Sequence, residues 1–146
     1  MTSAPAVSNT ELAERLRLAV ARTARRLRQE AVGGLSPSLS AALASIDRHG
    51  PLTPSALAAR EQIQRPTATR IVDRLVDDGL VERTPDPEDR RRLQLAVTPA
   101  GRATLRASRR RKTALLARAL DRLGAEDRAT LERAAILLEG LLEEPR

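Results

Sequence analysis

The chain has 146 residues, enough for one domain with or without dimerisation arms, and contains no Phe, Trp, Tyr or Cys. Without cysteine there are no disulfides, thiolate metal sites or cysteine redox sensing. Without aromatics the core must be built from Leu, Ile, Val and Ala, which bury less area each and place more of the stability on a subunit interface. A net charge of +7 suits a polyanionic partner, and no apolar run reaches the length of a membrane span.

Residues 1–9 (MTSAPAVSN) are small and polar and read as a tail. They lack the apolar core of a signal peptide, so a cytoplasmic location is expected. Thr10 can cap a helix running to about Val32, with Leu12, Leu16, Val20 and Leu27 on one face and Gly33-Gly34 as its end. Arg15, Arg17, Arg22, Arg25, Arg26 and Arg28 occupy the other face. So narrow an apolar stripe needs a partner helix. Ser36-Pro37 is a cap followed by proline at the first helical position; this helix buries Leu39, Leu43 and Ile46 and stops after His49 at Gly50-Pro51.

The stretch from Leu52 to Gly101 reads as helix, tight turn, helix, strand, basic loop, strand. Thr53-Pro54 opens a short helix that presents Leu57 and Ala58 and ends near Arg60. Glu61 to Gln64 make a turn in which only Ile63 calls for burial. A second helix starts at Arg65-Pro66 and closes at Gly79, which can take the left-handed conformation. Ala68, Ile71, Val72, Leu75 and Val76 form its inner face, leaving Arg65, Thr67, Thr69, Arg70, Asp73 and Arg74 outward. Short hydroxyl side chains and arginines at the start of a second helix are what a major groove requires. The periodicity then changes. Leu80 to Thr84 and Leu93 to Val97 read as strands, joined by Pro85-Asp86-Pro87-Glu88-Asp89-Arg90-Arg91-Arg92. Arginine at such a tip can enter a narrow minor groove, where the potential is most negative.

Pro99-Ala100 opens a long helix to about Leu123, with Leu105, Leu115, Leu116, Ala119 and Leu120 apolar. The last helix, from about Glu126 to Glu144, is expected to bury Leu131, Ala134, Ala135, Leu138, Leu141 and Leu142. Charge is uneven along the chain. Between Arg60 and Arg92 arginines and acids are equal in number, so positive charge there is a matter of placement. Between Gly101 and Arg122, Arg102, Arg106, Arg109, Arg110, Arg111, Lys112, Arg118 and Arg122 face Asp121 alone.

The run RPTATRIVDRLVDDGLVERTPDPEDRRRLQLAVTPAG resembles the MarR (multiple antibiotic resistance regulator) family of bacterial transcription factors. That family carries a recognition helix, a wing of the form D-x-R, an apolar strand and then L/V-T-x-x-G. The matching positions are Asp89, Arg91, Leu93, Leu95, Val97, Thr98 and Gly101. The resemblance is specific over about residues 36–102 and architectural outside them. It implies that Arg91 enters the minor groove and that Asp89 orients it. In two places the chain departs from the pattern. Gln64 replaces the usual Ser or Asp cap of the recognition helix, and Ala56 replaces a common Glu, which removes a capping box.

The expected fold is mainly α with a small β-wing (α+β). Residues 35–99 would form a winged helix-turn-helix, and residues 10–34 and 100–146 a helical dimerisation region. The candidate DNA-contacting residues are Gln64, Arg65, Pro66, Thr67, Thr69, Arg70, Arg74, Asp89, Arg90, Arg91 and Arg92. The expected partners are double-stranded DNA, a second copy of the chain and, by resemblance, a small anionic or aromatic effector held between the dimer helices and the reading head. An aliphatic, arginine-lined pocket would suit it, with Arg15, Arg22 or His49 as participants. No cofactor, metal or membrane is expected. Enzyme chemistry lacks support: there is no Cys, His49 stands in no constellation with Ser and Asp, and there is no Gly-rich phosphate loop.

Blander readings stand beside these. The arginines of the second helix and of the wing could be solvated surface, and Asp89 could cap the turn rather than orient Arg91. Arg109-Arg110-Arg111-Lys112 could touch phosphates, pair with acids of another subunit or stay solvated. His49 reads as a helix C-terminal residue favouring the dipole. The functional expectation is a homodimeric, operator-binding repressor released by a small molecule. The alternatives are an architectural nucleoid-type protein without a specific operator and a winged helix used only for protein contacts.

Overall fold

The structure is a computed structural model that describes residues 7–30 and 35–142. Among the described residues, six helices and two strands follow in the order α1 (Asn9–Glu30), α2 (Pro37–His49), α3 (Pro54–Arg60), α4 (Arg65–Asp77), β1 (Val81–Pro85), β2 (Leu93–Val97), α5 (Pro99–Leu120) and α6 (Ala125–Leu142). The chain divides into two compact units between Lys112 and Thr113, within α5.

Local chemistry fixes the helix starts. Ser36 Oγ accepts the Leu39 N–H at 3.3 Å and Thr53 Oγ1 accepts the Ala56 N–H at 3.2 Å, with proline next in each case. The loss of Glu at position 56 therefore leaves one half of the cap in place. The start of α1 differs from expectation, because Ser8 caps it instead of Thr10. Ser8 Oγ accepts the Glu11 N–H at 3.2 Å and the Glu11 carboxylate accepts the Ser8 N–H at 3.1 Å. This reciprocal capping box satisfies two end donors at once, which one threonine cannot. The carboxylate also accepts from the Ser8 hydroxyl at 3.0 Å, and the two bonds it accepts, the backbone one first, hold the Glu11 carboxyl below its ordinary pKa. The expected Gly33-Gly34 stop and the end of the last helix beyond Leu142 lie outside the described residues.

The core of the first unit is aliphatic. Leu43 and Ile46 of α2, Leu57 of α3, Val72 and Leu75 of α4, Leu95 and Val97 of β2, and Leu105 of α5 are buried together with Ala42, Leu52, Leu80 and Val81. Leu39 is only half-buried. β1 and β2 pair antiparallel, from Val81 opposite Val97 to Pro85 opposite Leu93. Leu80, expected to start the strand, is buried just before it. Leu52 bridges to β2 as a single extended residue: its N–H donates to Leu95 O (3.2 Å) and its carbonyl accepts from Leu95 N–H (2.8 Å).

In the turn between α3 and α4, Gln62 has φ of +53°. Left-handed backbone costs an L-residue roughly 1–2 kcal/mol, whereas glycine pays no such strain but loses about 0.5–1 kcal/mol more chain entropy on folding. The strain term is the larger. Gln62→Gly is therefore expected to raise stability by up to about 1 kcal/mol, read as a higher urea midpoint; a lower midpoint would contradict this assignment.

The second unit is different. Among the described residues from Thr113 onward none is buried; Leu115, Leu120, Leu123, Ala134 and Leu138 are half-buried. Leu131, Ile136, Leu137 and Leu141 of α6 are exposed at 46%, 64%, 69% and 75%. The expected burial of Leu131, Ala135 and Leu141 does not occur within one chain, and the side chain of Leu142 lies outside the described set. α1 likewise buries nothing, with Leu12, Leu16 and Val20 exposed.

Candidate nucleic-acid interface

α4 is amphipathic by position. Ala68, Val72 and Leu75 are buried and Ile71 and Val76 half-buried, so the helix is held from one side. Gln64, Arg65, Pro66, Thr69, Arg70, Asp73 and Arg74 are exposed on the other side, while Thr67 is half-buried. The Thr69 hydroxyl donates to the Arg65 carbonyl at 3.0 Å, which leaves its oxygen as an outward acceptor beside its methyl group.

The expected cations are not equivalent. Arg74 Nε lies 3.0 Å from Asp78 Oδ2, and Asp73 pairs with Arg83 of β1. Arg65 and Arg70 form no ion pair among the described residues. The unpaired positive charge of α4 thus sits in its first half, while Asp73 and Asp78 are engaged around its second half. The Asp73–Arg83 link also ties the recognition helix to the first strand of the wing. No periodic signal discloses such a pair, because it joins residues ten apart on two kinds of element.

The wing turn is built by its aspartates. Asp86 N–H donates to Arg92 O (2.9 Å), Arg92 N–H donates to Asp89 O (2.8 Å), and Asp86 Oδ1 accepts the Glu88 N–H (2.9 Å). Asp89 Oδ1 accepts the Arg91 N–H at 3.0 Å, and Oδ2 lies 3.6 Å from Arg92 Nε. Asp89 therefore caps the turn. It holds Arg91 through the backbone and Arg92 through its side chain. Arg90, Arg91 and Arg92 are all exposed.

The T-x-x-G segment after the wing has a structural explanation. Thr98 Oγ1 donates to Gly79 O at 2.6 Å and accepts the Gly101 N–H at 3.1 Å, while Thr98 N–H donates to Leu80 O at 3.0 Å. One threonine thus joins the end of α4, the end of β2 and the start of α5. Gly79, at φ +72°, makes the left-handed turn that brings its carbonyl there. Gly101 is buried where a Cβ would run into the Leu80 carbonyl and the Val97 side chain, so only glycine fits.

Arg109, left open between three roles, pairs with Asp47 of α2 at 3.5 Å. Its neighbours Arg111 and Lys112 each border a shallow cleft. One, of about 150 Å³, is bordered by Arg28, Leu35, Ser40, Ala44, Ser108 and Lys112. A third, wider cleft of about 450 Å³, bordered by Arg28, Ala41, Glu61, Ile63, Thr67 and Ile71, includes neither Arg111 nor Lys112. Arg15, Arg22 and His49 border none of the three. No helix among the described residues is long and apolar enough to cross a membrane.

Comparison with known proteins supplies the context for this geometry. The sequence model of the MarR family matches residues 35–93. An uncharacterised HTH-type transcriptional regulator of Mycobacterium bovis is 37% identical over 138 residues, covering 94% of this chain and 96% of that one. The HTH-type transcriptional repressor MdtR of Bacillus subtilis is 32% identical over 94 residues, covering 64% of this chain and 61% of that one. A solved protein of Pseudomonas aeruginosa has the same fold at a TM-score of 0.80 and 33% identity, over 97% of this chain and 100% of that one.

Proposed function

This chain belongs to the MarR family of transcriptional regulators, which bind DNA through a helix-turn-helix and are not enzymes, and from that premise we propose that it is a homodimeric repressor of a pseudo-palindromic operator. Each protomer lays the first half of α4 in a major groove and reaches the adjoining minor groove with Arg91. The observation that carries this reading is the placement of Arg65 and Arg70, exposed and without ion pairs among the described residues, on the helix whose opposite face is fixed in the core. Gln64, Pro66, Thr67 and Thr69 flank them. Arg74 contributes less than its position suggests, because Asp78 already holds it. Arg90 and Arg92 accompany Arg91 at the wing as phosphate contacts. The likeness to MdtR supports repression as the direction of control.

Arginine–phosphate contacts make affinity fall linearly on a log–log salt plot, and base-edge contacts choose the sequence. Arg91→Ala is expected to weaken operator binding about tenfold, roughly 1.4 kcal/mol, with unchanged circular dichroism. An unaltered gel-shift titration would remove the wing from the mechanism. Selection from a random DNA pool separates this reading from an architectural DNA coat, since a regulator prefers one short inverted repeat by orders of magnitude.

Release is proposed to come from a small anionic molecule held by Arg28 and Lys112 with the hydroxyls of Ser40 and Ser108, over the apolar Leu35 and Ala44. Such a ligand acts only by favouring a dimer whose recognition helices are wrongly spaced for the operator.

A further inference from the structure

We propose that Gln64 is a specificity-determining residue that reads an adenine in each operator half-site, an inference that rests on the operator reading above. Ser8, Ser36, Thr53 and Thr98 each accept an N–H from three residues on, at 3.2, 3.3, 3.2 and 3.1 Å, and so close the starts of α1, α2, α3 and α5. The chain uses a short hydroxyl for this in every one of those places.

α4 breaks the pattern. Gln64 occupies its N-cap with extended backbone (φ −69°, ψ 146°), and its carbonyl accepts the Ala68 N–H at 3.0 Å, yet its side chain makes no cap hydrogen bond. A glutamine side chain is too long to fold back onto the amides of its own first turn as serine does. Its carboxamide is exposed and has no hydrogen-bond partner among the described residues. α6 follows Gly124, whose carbonyl accepts the Arg128 N–H and which is itself an accepted N-cap residue. Among the described helix starts only Gln64 is therefore a poor cap, and its place at the leading end of the helix that faces the groove marks a position set by function rather than by folding.

The chemistry then selects the target. A carboxamide presents one donor and one acceptor side by side, which matches adenine N7 and N6–H₂ in the major groove, and the first residues of a recognition helix are those that meet base edges. Arg65 and Arg70 cannot make this choice, because guanidinium groups offer donors only and favour guanine or phosphate.

The test uses the full-length protein and the DNA site it selects from a random pool. Wild-type protein is expected to lose about tenfold in affinity when one adenine per half-site is replaced by 7-deaza-adenine, which lacks the N7 acceptor. Gln64→Ser is expected to bind both DNAs equally and about tenfold more weakly than wild type binds the natural site. Its melting temperature should rise by about 2–5 °C, because serine restores the cap. Gln64→Glu should shift the preferred base at that position toward cytosine, whose N4–H₂ donates to a carboxylate. A Gln64→Ser protein that keeps the adenine preference, or that melts lower than wild type, overturns the assignment while leaving the operator reading intact. A wild-type protein that selects no sequence overturns both.

Discussion

Replacing Ile136 and Leu137 of α6 with lysine is expected to give a monomer whose operator affinity is lower by a hundredfold or more. The two side chains are 64% and 69% exposed, and Leu131 and Leu141 on the same helix are also open to solvent. Solitary exposed leucines are ordinary, but several large apolar groups along one helix mark a surface that another protein covers. In a symmetric dimer each substitution appears twice, so the double variant places four charges in an apolar interface, and an unpaired buried charge is far costlier than the lost apolar contact. The DNA consequence follows from linkage. Two reading heads on one dimer engage two half-sites with an effective concentration that two separate monomers lack, a gain on the order of 10²–10⁴. Light scattering measures the assembly and a gel-shift titration the affinity. If the variant remains a dimer, α6 is not at the interface. If it becomes a monomer and still binds the operator at full strength, pairing of the half-sites does not matter.

The arrangement of the reading head is legible in the sequence because its signals are local. A cap followed by proline announces α2 and α3, Gly79 announces the end of α4, and the alternation from Leu93 to Val97 gives β2 its full length. The family motif supplies the order of these parts, and Arg65, Arg70 and Arg91 stand exposed where that order places them. What escapes is non-local or reciprocal. The Asp73–Arg83 pair joins a helix to a strand, and the Thr98 bond to Gly79 spans nineteen residues. The Leu52 bridge to Leu95 is a single extended residue with no run to betray it. Arg74 reads as outward-facing, and it is, but the acid four residues on holds it. Leu131 and Leu141 of α6 read correctly as apolar but are not buried within the one chain, since periodicity reports which face is apolar and is silent on whether the covering surface lies in the same chain.

Leu75→Ala is expected to destabilise the protein by about 3–4 kcal/mol, within the range of roughly 2.7–5 kcal/mol for fully buried leucines, the upper values reached where the surroundings cannot collapse. Leu75 is 0% exposed and packs in a cluster built without a single aromatic side chain. Against a total stability of about 5–15 kcal/mol for a natural domain, this one substitution removes roughly a fifth or more. Val76→Ala, one position along and only half-buried, serves as the control and should cost about 1 kcal/mol or less. Urea denaturation reads both, and a Leu75→Ala loss no larger than that of the control would mean that α4 is not anchored by its inner face. The effect should extend to DNA binding although Leu75 touches no DNA. Ala68, Val72 and Leu75 fix the roll of α4, and the same roll decides whether Gln64, Arg65 and Arg70 point into the groove. Reduced operator affinity at a temperature where Leu75→Ala is still folded would separate this positioning effect from simple unfolding. Anchoring and reading then depend on one rigid element, whose alternate faces cannot vary independently.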